Sequence, residues 1–414
     1  MMDKNIGKNV AWALLSHVSS RGLLMFIAII LARNMDVSAF ARYAYFQMTI
    51  SMISIYSTMG LGITAARYFA ELGIESKKEH HFPVGLLWIM SIFLSIVALV
   101  VALVLPAKWL GSNIIDSNWL LALGVFSLGI NVVPSGALLG LEKYKYSAFV
   151  AIFSGAFVIA GALIAVHQEN ESAAMWGVII ANFVQFFCES CVVIKTVGWR
   201  KLRKSGKIKS DSFSQIFSFA GPMLGVSVLA ASGTWLLGRI ILHQDGGENE
   251  FSRYSIGLQW FALALLIPGI LSKVLIPKMV HHLNSNNNKN INFIKTAALA
   301  ALAAAVVVST VGAAMAPFIM SLYGPKYEVN KWFLCLFLIA AVISAPANTI
   351  SNAIVINGGQ RFWLFAMTIW LAILLLTGGL TISLGAESGG IALILATFIQ
   401  TILAYLIAKK MKII

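Results

Sequence analysis

Charged side chains inside apolar runs are few in this chain, and almost all are cations. Arg21 sits in "NVAWALLSHVSSRGLLMFIAIILA" (9–32), with His17 one turn away and Ser16 and Ser20 close by. A helix starting at residue 10 carries Arg21 about 16 Å inward at a rise of 1.5 Å per residue. A guanidinium at that depth must find an anion, a carbonyl or water. Its planar fork of donors suits phosphate in particular; the rival reading is a structural hydrogen-bonding role. Arg239 nears the outer end of its run and can also snorkel. Lys273 follows the Pro268-Gly269 break, and Arg67 is shallower on the same inner side. Glu189 is the only acid inside a predicted span. It can pair with Lys273 or Arg67, or carry a coupling proton. Positive charge with almost no acid suits an anionic substrate.

Polar residues recur at helical spacing beside these charges. Gln47, Ser51, Ser54 and Thr58 share one face, as do Asn182, Gln185 and Glu189. Ser218, Gly225, Ser232 and Arg239 step by sevens, and Ser344, Asn348, Ser351 and Asn352 gather on one side. Asn131 precedes Pro134, where a helix can bend and bare its backbone to a cavity. The stripes with Asn, Gln or charge read as cavity lining: His17, Gln47, Asn131, Asn182, Gln185, Asn348 and Asn352. Small residues also let membrane helices pack closely. Gly136-x-x-x-Gly140 and Gly221-x-x-x-Gly225 are assigned that role alone.

The elements that position these residues must cross a membrane. The chain is 59% hydrophobic and 11% charged, against about 25% charged in soluble domains, and its mean hydropathy is +0.85. Uncharged runs such as 88–105 and 365–384 are long enough to span a bilayer core of roughly 30 Å. Twelve spans are predicted, at 10–32, 39–63, 82–105, 119–141, 147–166, 173–194, 215–242, 252–278, 294–321, 331–356, 361–384 and 389–408. With both termini cytoplasmic, inner segments hold 21 of the 30 Lys and Arg, outer connections 6, and spans 3. That asymmetry sets the orientation. The first run, with Arg21 near its middle and no small-residue cleavage site, is not read as a cleaved signal.

The basic segment 195–212 joins spans six and seven and reads as a linker on anionic headgroups, not a nucleic-acid patch. Cys188-x-x-Cys191 lies on a predicted membrane helix and reads as two small apolar side chains. His80-His81 and His281-His282 fall in inner loops and read as solvated, so no metal site is assigned. No phosphate-binding G-x-x-x-x-G-K-[S/T] loop, HExxH, GxSxG or paired-carboxylate constellation is present, and neither an enzymatic activity nor a cofactor is expected.

The chain also echoes itself. "FARY" (40–43) opens span two and "FSRY" (251–254) opens span eight, with Arg42 and Arg253 separated by 211 residues. The same offset sets Arg67 against Lys278. The expected architecture is an all-α membrane protein of twelve transmembrane helices, in two parallel six-helix lobes around a central cavity. The first lobe is 1–194, the linker 195–214 and the second lobe 215–414. Arg42 and Arg253 read as snorkelling interfacial anchors.

Several stretches resemble the bacterial polysaccharide flippases. They are "ILARNMDVSAFARYAYFQ" (30–47), "GLGITAARYFAE" (60–71), "GALLGLEKYKYSAF" (136–149), "FAGPMLGVSVLAASGTWLLGRIIL" (219–242) and "YSIGLQWFALALLIPGILSKVLIPKMV" (254–280). "SLYGPKY" (321–327) and "NGGQRF" (357–362) fit the same pattern. That family comprises the Wzx-type O-antigen unit translocases of the multidrug/oligosaccharidyl-lipid/polysaccharide exporter superfamily. The family often has Gly after the Phe of the opening phrase; here Ala41 and Ser252 stand there.

The resemblance implies a V-shaped pair of lobes with alternating access in the bacterial inner membrane. The substrate it implies is an undecaprenyl-diphosphate-linked oligosaccharide, moved from the cytoplasmic to the periplasmic leaflet. Arg21, Arg239, Lys273 and Arg67 would meet the diphosphate, the Asn, Gln and Ser stripes the sugars, and membrane lipid the polyprenyl tail. A polysaccharide polymerase and a chain-length regulator are the implied protein partners. The rival readings are a multidrug or organic-cation exporter of the same superfamily, a fourteen-span lipid II flippase, and a non-transporting scaffold for a glycan polymerase. An exporter of cations needs acids within the membrane, and Glu189 is off centre.

Overall fold

Lipid offers no hydrogen bonds, so an apolar segment that crosses it must satisfy its own backbone, which a helix does. The computed structural model describes residues 22–58, 60–74, 84–104, 118–198, 210–269, 287–328, 332–411 and 413–414. Its first seven helices are α1 Gly22–Asn34, α2 Val37–Thr58, α3 Leu61–Ile74, α4 Val84–Val104, α5 Asn118–Gly140, α6 Tyr144–Gln168 and α7 Glu171–Val197. There follow α8 Ser210–Leu242, α9 Gly247–Ala264, α10 Asn287–Ala314, α11 Ala316–Tyr323, α12 Phe333–Ile356, α13 Gln360–Leu380 and α14 Ala386–Lys410. Short 3-10 turns at Pro325–Tyr327 and Ile382–Leu384 complete the regular structure.

Every predicted span meets helix, but three spans are divided. Span two becomes α2 and α3, parted at Gly60, whose φ of 74° suits a residue without Cβ. Span eight stops at Ala264, and helical backbone resumes at 266–269. Pro268 explains the position, because its ring crowds the carbonyl four residues earlier, that of Ala264. Span nine parts at Met315, with Pro317 in the first turn of α11. Among the described residues nine helices are long and apolar enough to cross a membrane. The other three predicted spans correspond to α1, to α2 with α3, and to α9.

The chain packs into two units, Met1–Leu224 and Gly225–Ile414, divided within α8. In the first unit α5 is central. Of its most apolar stretch 72% is buried, against 28–39% for α4, α6 and α7. It packs on α2, α3, α4 and α7. In the second unit α12 holds the equivalent place, 61% buried, against α9, α10 and α14. Each central helix carries a proline, Pro134 or Pro346, in its second half.

Close backbone approach explains the small residues of α5. A Cβ on Gly136 would lie 2.3 Å from the carbonyl oxygen of Gly62, and one on Gly140 would lie 2.2 Å from that of Ala66. The predicted packing role holds for this pair. It holds for only one member of the other pair: Gly225 meets Leu364 of α13, while Gly221 has nothing within 4 Å.

The repeated phrase is buried in both units. Phe40, Ala41 and Tyr43, like Phe251, Ser252 and Tyr254, are at most 3% exposed. Its arginines are not free anchors, which corrects the sequence reading. Arg42 Nε pairs with Glu171 Oε1 at the start of α7, and Arg253 Nη1 pairs with Glu250 Oε1 at 3.2 Å. Each guanidinium has a carboxylate partner, buried Glu171 for Arg42 and half-buried Glu250 for Arg253.

Candidate functional site

The best-defined polar constellation lies between α5 and α7 in the first unit. Asn182, Gln185 and Glu189 line one face of α7, stepping by three and four. On α5, Ser127, Asn131 and Ser135 step by four and form the matching stripe. The two stripes meet. Asn182 Nδ2 donates to Ser127 Oγ at 3.3 Å, and Ser127 in turn donates to the Gly124 carbonyl at 2.8 Å. Ser135 Oγ donates to Glu189 Oε2 at 2.5 Å, and Gln185 Nε2 donates to Glu189 Oε1 at 3.0 Å.

Glu189 is wholly buried, and neutral donors serve both of its oxygens. Among the described residues no cation pairs with it; of the two partners anticipated for it, Lys273 lies outside those residues and the side chain of Arg67 is not described. Asn131, 7% exposed, lies between Ser127 and Ser135 on the α5 face, and its Oδ1 accepts no hydrogen bond among the described residues. An orphaned buried acceptor is costly and commonly marks a position where another group belongs.

Four further candidates are half-buried. Gln47 on α2 is half-buried and donates to Tyr43 Oη at 2.9 Å, with Ser51 exposed one turn on. On α12, Asn348 and Asn352 are half-buried while Ser344 and Ser351 are buried. Asn348 Nδ2 reaches Ser344 Oγ at 3.5 Å. Arg239 lies one turn from the end of α8, with its guanidinium 5.5 Å from the ring centroid of Trp235. A guanidinium stacked on an aromatic face still presents its donors in the plane of the fork.

His17, Arg21 and Lys273 lie outside the described residues, and Arg67 is placed only by its backbone, within α3. Asn182, Gln185 and Glu189 come together as their spacing suggested. Ser127 and Ser135 were missed, because serines on a membrane helix read as packing; their four-residue steps around Asn131 were the available signal. Among the described residues no three His, Cys, Asp or Glu side chains gather to hold a metal ion.

The chain thus forms two units of apolar helices, each around a proline-bearing central helix, with a polar seam in the first. Solved structures share this fold. A multidrug resistance MATE family transporter of the MOP superfamily, in an inward-facing conformation, superposes with a TM-score of 0.75 at 14% identity, covering 96% of this chain and 97% of that one. The Vibrio cholerae MATE transporter VcmN, as a point mutant, gives 0.71 at 14% identity over 98% and 96%. The eukaryotic MATE transporter AtDTX14 gives 0.68 at 14% identity over 98% and 97%. The sequence profile of a family described as polysaccharide biosynthesis protein matches residues 6–282, about two thirds of the chain. The chain belongs to that family. No curated protein matches it significantly.

Proposed function

We propose that the protein is a flippase, not an enzyme, which moves an undecaprenyl-diphosphate-linked oligosaccharide from the cytoplasmic to the periplasmic leaflet of the bacterial inner membrane. Alternating access between lobes 1–194 and 215–414, joined by a cytoplasmic linker at 195–214, is the mode of transport. The observation that carries this reading is the family membership over residues 6–282, on the fold of MOP-superfamily transporters.

The polar residues support it. Two neutral donors engage Glu189, the one acid read inside a span, so it is not laid open for an organic cation. Cations remain: Arg239 on α8, with Arg21, Arg67 and Lys273, supply donors for a diphosphate. Half-buried Gln47, Asn348 and Asn352 offer amides to sugar hydroxyls. The polyprenyl chain stays in lipid, and a polymerase and a chain-length regulator receive the product.

Deletion of the gene tests the proposal. Lipid-linked oligosaccharide is expected to accumulate on the cytoplasmic leaflet, with drug sensitivity unchanged. Altered drug sensitivity with no such accumulation would point to a multidrug exporter instead.

A further inference from the structure

Each unit carries an arginine–carboxylate pair at the same place, and the carboxylate comes from a different residue in each. In the first unit the acid is Glu171, the first residue of α7, and it pairs with Arg42 of α2. In the second unit the residue that opens the last helix, α14, is Ala386. There the acid is Glu250, three residues before Arg253, and its Oε2 accepts from the Ala386 backbone N–H at 2.9 Å. The position three residues before Arg42 is Ala39. Acid and alanine have thus changed places between the halves: Ala39 with Glu171 in one, Glu250 with Ala386 in the other.

Both arrangements set a carboxylate at the start of a helix, α7 or α14, where unpaired N–H groups and the helix dipole favour negative charge. Both give the guanidinium of the buried F-x-R-Y phrase an anion. The second site is tightly built. Gly385 has φ 60°, and a Cβ there would lie 2.3 Å from Glu250 Oε2. Side-chain exposure is 12% for Glu171 and 12% for Arg253, so neither pair is a loose surface contact.

We infer that the Arg42–Glu171 pair in the first unit and the Arg253–Glu250 pair with its Ala386 N–H in the second are equivalent clamps, tying α2 to α7 and α9 to α14, and that Arg42 and Glu171 are positioning residues. The Arg42–Glu171 clamp holds the polar face of α2, with Gln47 and Ser51, in register with that of α7, with Asn182, Gln185 and Glu189. The inference does not depend on the identity of the substrate.

The swapped positions supply the test: an acid transplanted to position 39 should replace the one at 171. Purified protein with Cys188, Cys191 and Cys335 changed to serine, and with Ser38→Cys and Ser172→Cys, carries spin labels on the two introduced thiols. Paramagnetic resonance is expected to give a narrow distance distribution in this background. It should broaden in Glu171→Ala and in Arg42→Ala, and narrow again in the double variant Ala39→Glu/Glu171→Ala. A distribution unchanged by Glu171→Ala, or a double variant as broad as the single one, overturns the proposal. Where Glu171→Ala does not accumulate, recovery of folded protein by the transplanted acid supports the clamp and failure to recover it overturns it. No transport assay enters these readouts, so an error in the substrate assignment leaves them intact.

Discussion

The Ser135 hydroxyl of α5 donates to Glu189 Oε2 of α7 at 2.5 Å, across the contact between the central helix of the first unit and its neighbour. Gln185, one turn before Glu189, serves the other oxygen. A buried carboxyl with two neutral donors and no described counter-ion is sensitive to the loss of either donor. Ser135→Ala is expected to destabilise the protein by about 1–3 kcal/mol, the cost of leaving a buried acceptor unserved. Glu189→Gln should cost less than Glu189→Leu, because the amide keeps an acceptor for one of the two donors. Thermal unfolding of the purified variants measures the order.

Close packing of α5 on α3 makes a second prediction sharp. Gly140→Ala places a methyl group 2.2 Å from the Ala66 carbonyl oxygen, so backbone must move. A loss of about 1–3 kcal/mol or more follows, as for other overpacked sites. Gly221→Ala meets nothing within 4 Å inside α8. It is expected to be neutral or to stabilise by up to about 1 kcal/mol, the helix propensity gained over glycine. The unfolding midpoint should fall in Gly140→Ala and hold or rise in Gly221→Ala.

The amides of α12 separate a structural role from a sugar-binding one. Asn348 and Asn352 are half-buried, and the one described partner of the Asn348 amide is a long contact to Ser344. Replacement of either by Leu should change stability by less than about 1 kcal/mol, since only a weak hydrogen bond is removed. Surface polysaccharide in a complemented deletion strain should nevertheless fall. Unchanged polysaccharide would remove these residues from the sugar path.

Arg21 is the cation read as deepest in the membrane. Arg21→Ala is expected to abolish surface polysaccharide while the protein still inserts, as judged by its amount in the membrane fraction. Normal polysaccharide would exclude it as an anion ligand. Arg239→Lys should keep a cation near Trp235 but lose the fork, giving a partial loss where Arg239→Ala gives a larger one.

Apolar run length made the helices legible, and helical spacing alone brought out Asn182, Gln185 and Glu189. The breaks were only half legible. Pro268 marked one, but the helix stops at Ala264, a turn earlier, because proline acts on the carbonyl behind it. Gly60 gave no distinct signal within its run, and Pro317, just after Met315, was a signal that run length overrode. Ser135, the partner of Glu189 on α5, and Glu171, the partner of Arg42, lie 54 and 129 residues away. No local spacing reports such pairs; they depend on which helices the fold sets side by side. Ser135 in particular is chemically ordinary until α7 delivers a carboxylate to it.

The central claim is flipping itself. Purified protein in liposomes, loaded with a fluorescently labelled polyprenyl-diphosphate oligosaccharide in one leaflet, gives the direct measurement. A membrane-impermeant quencher added outside reports which leaflet holds the label. The account predicts that the wild-type protein makes label from the inner leaflet accessible, and that Arg21→Ala protein does not. Equal, slow exposure in liposomes with and without the wild-type protein, across imposed proton and sodium gradients, would contradict it.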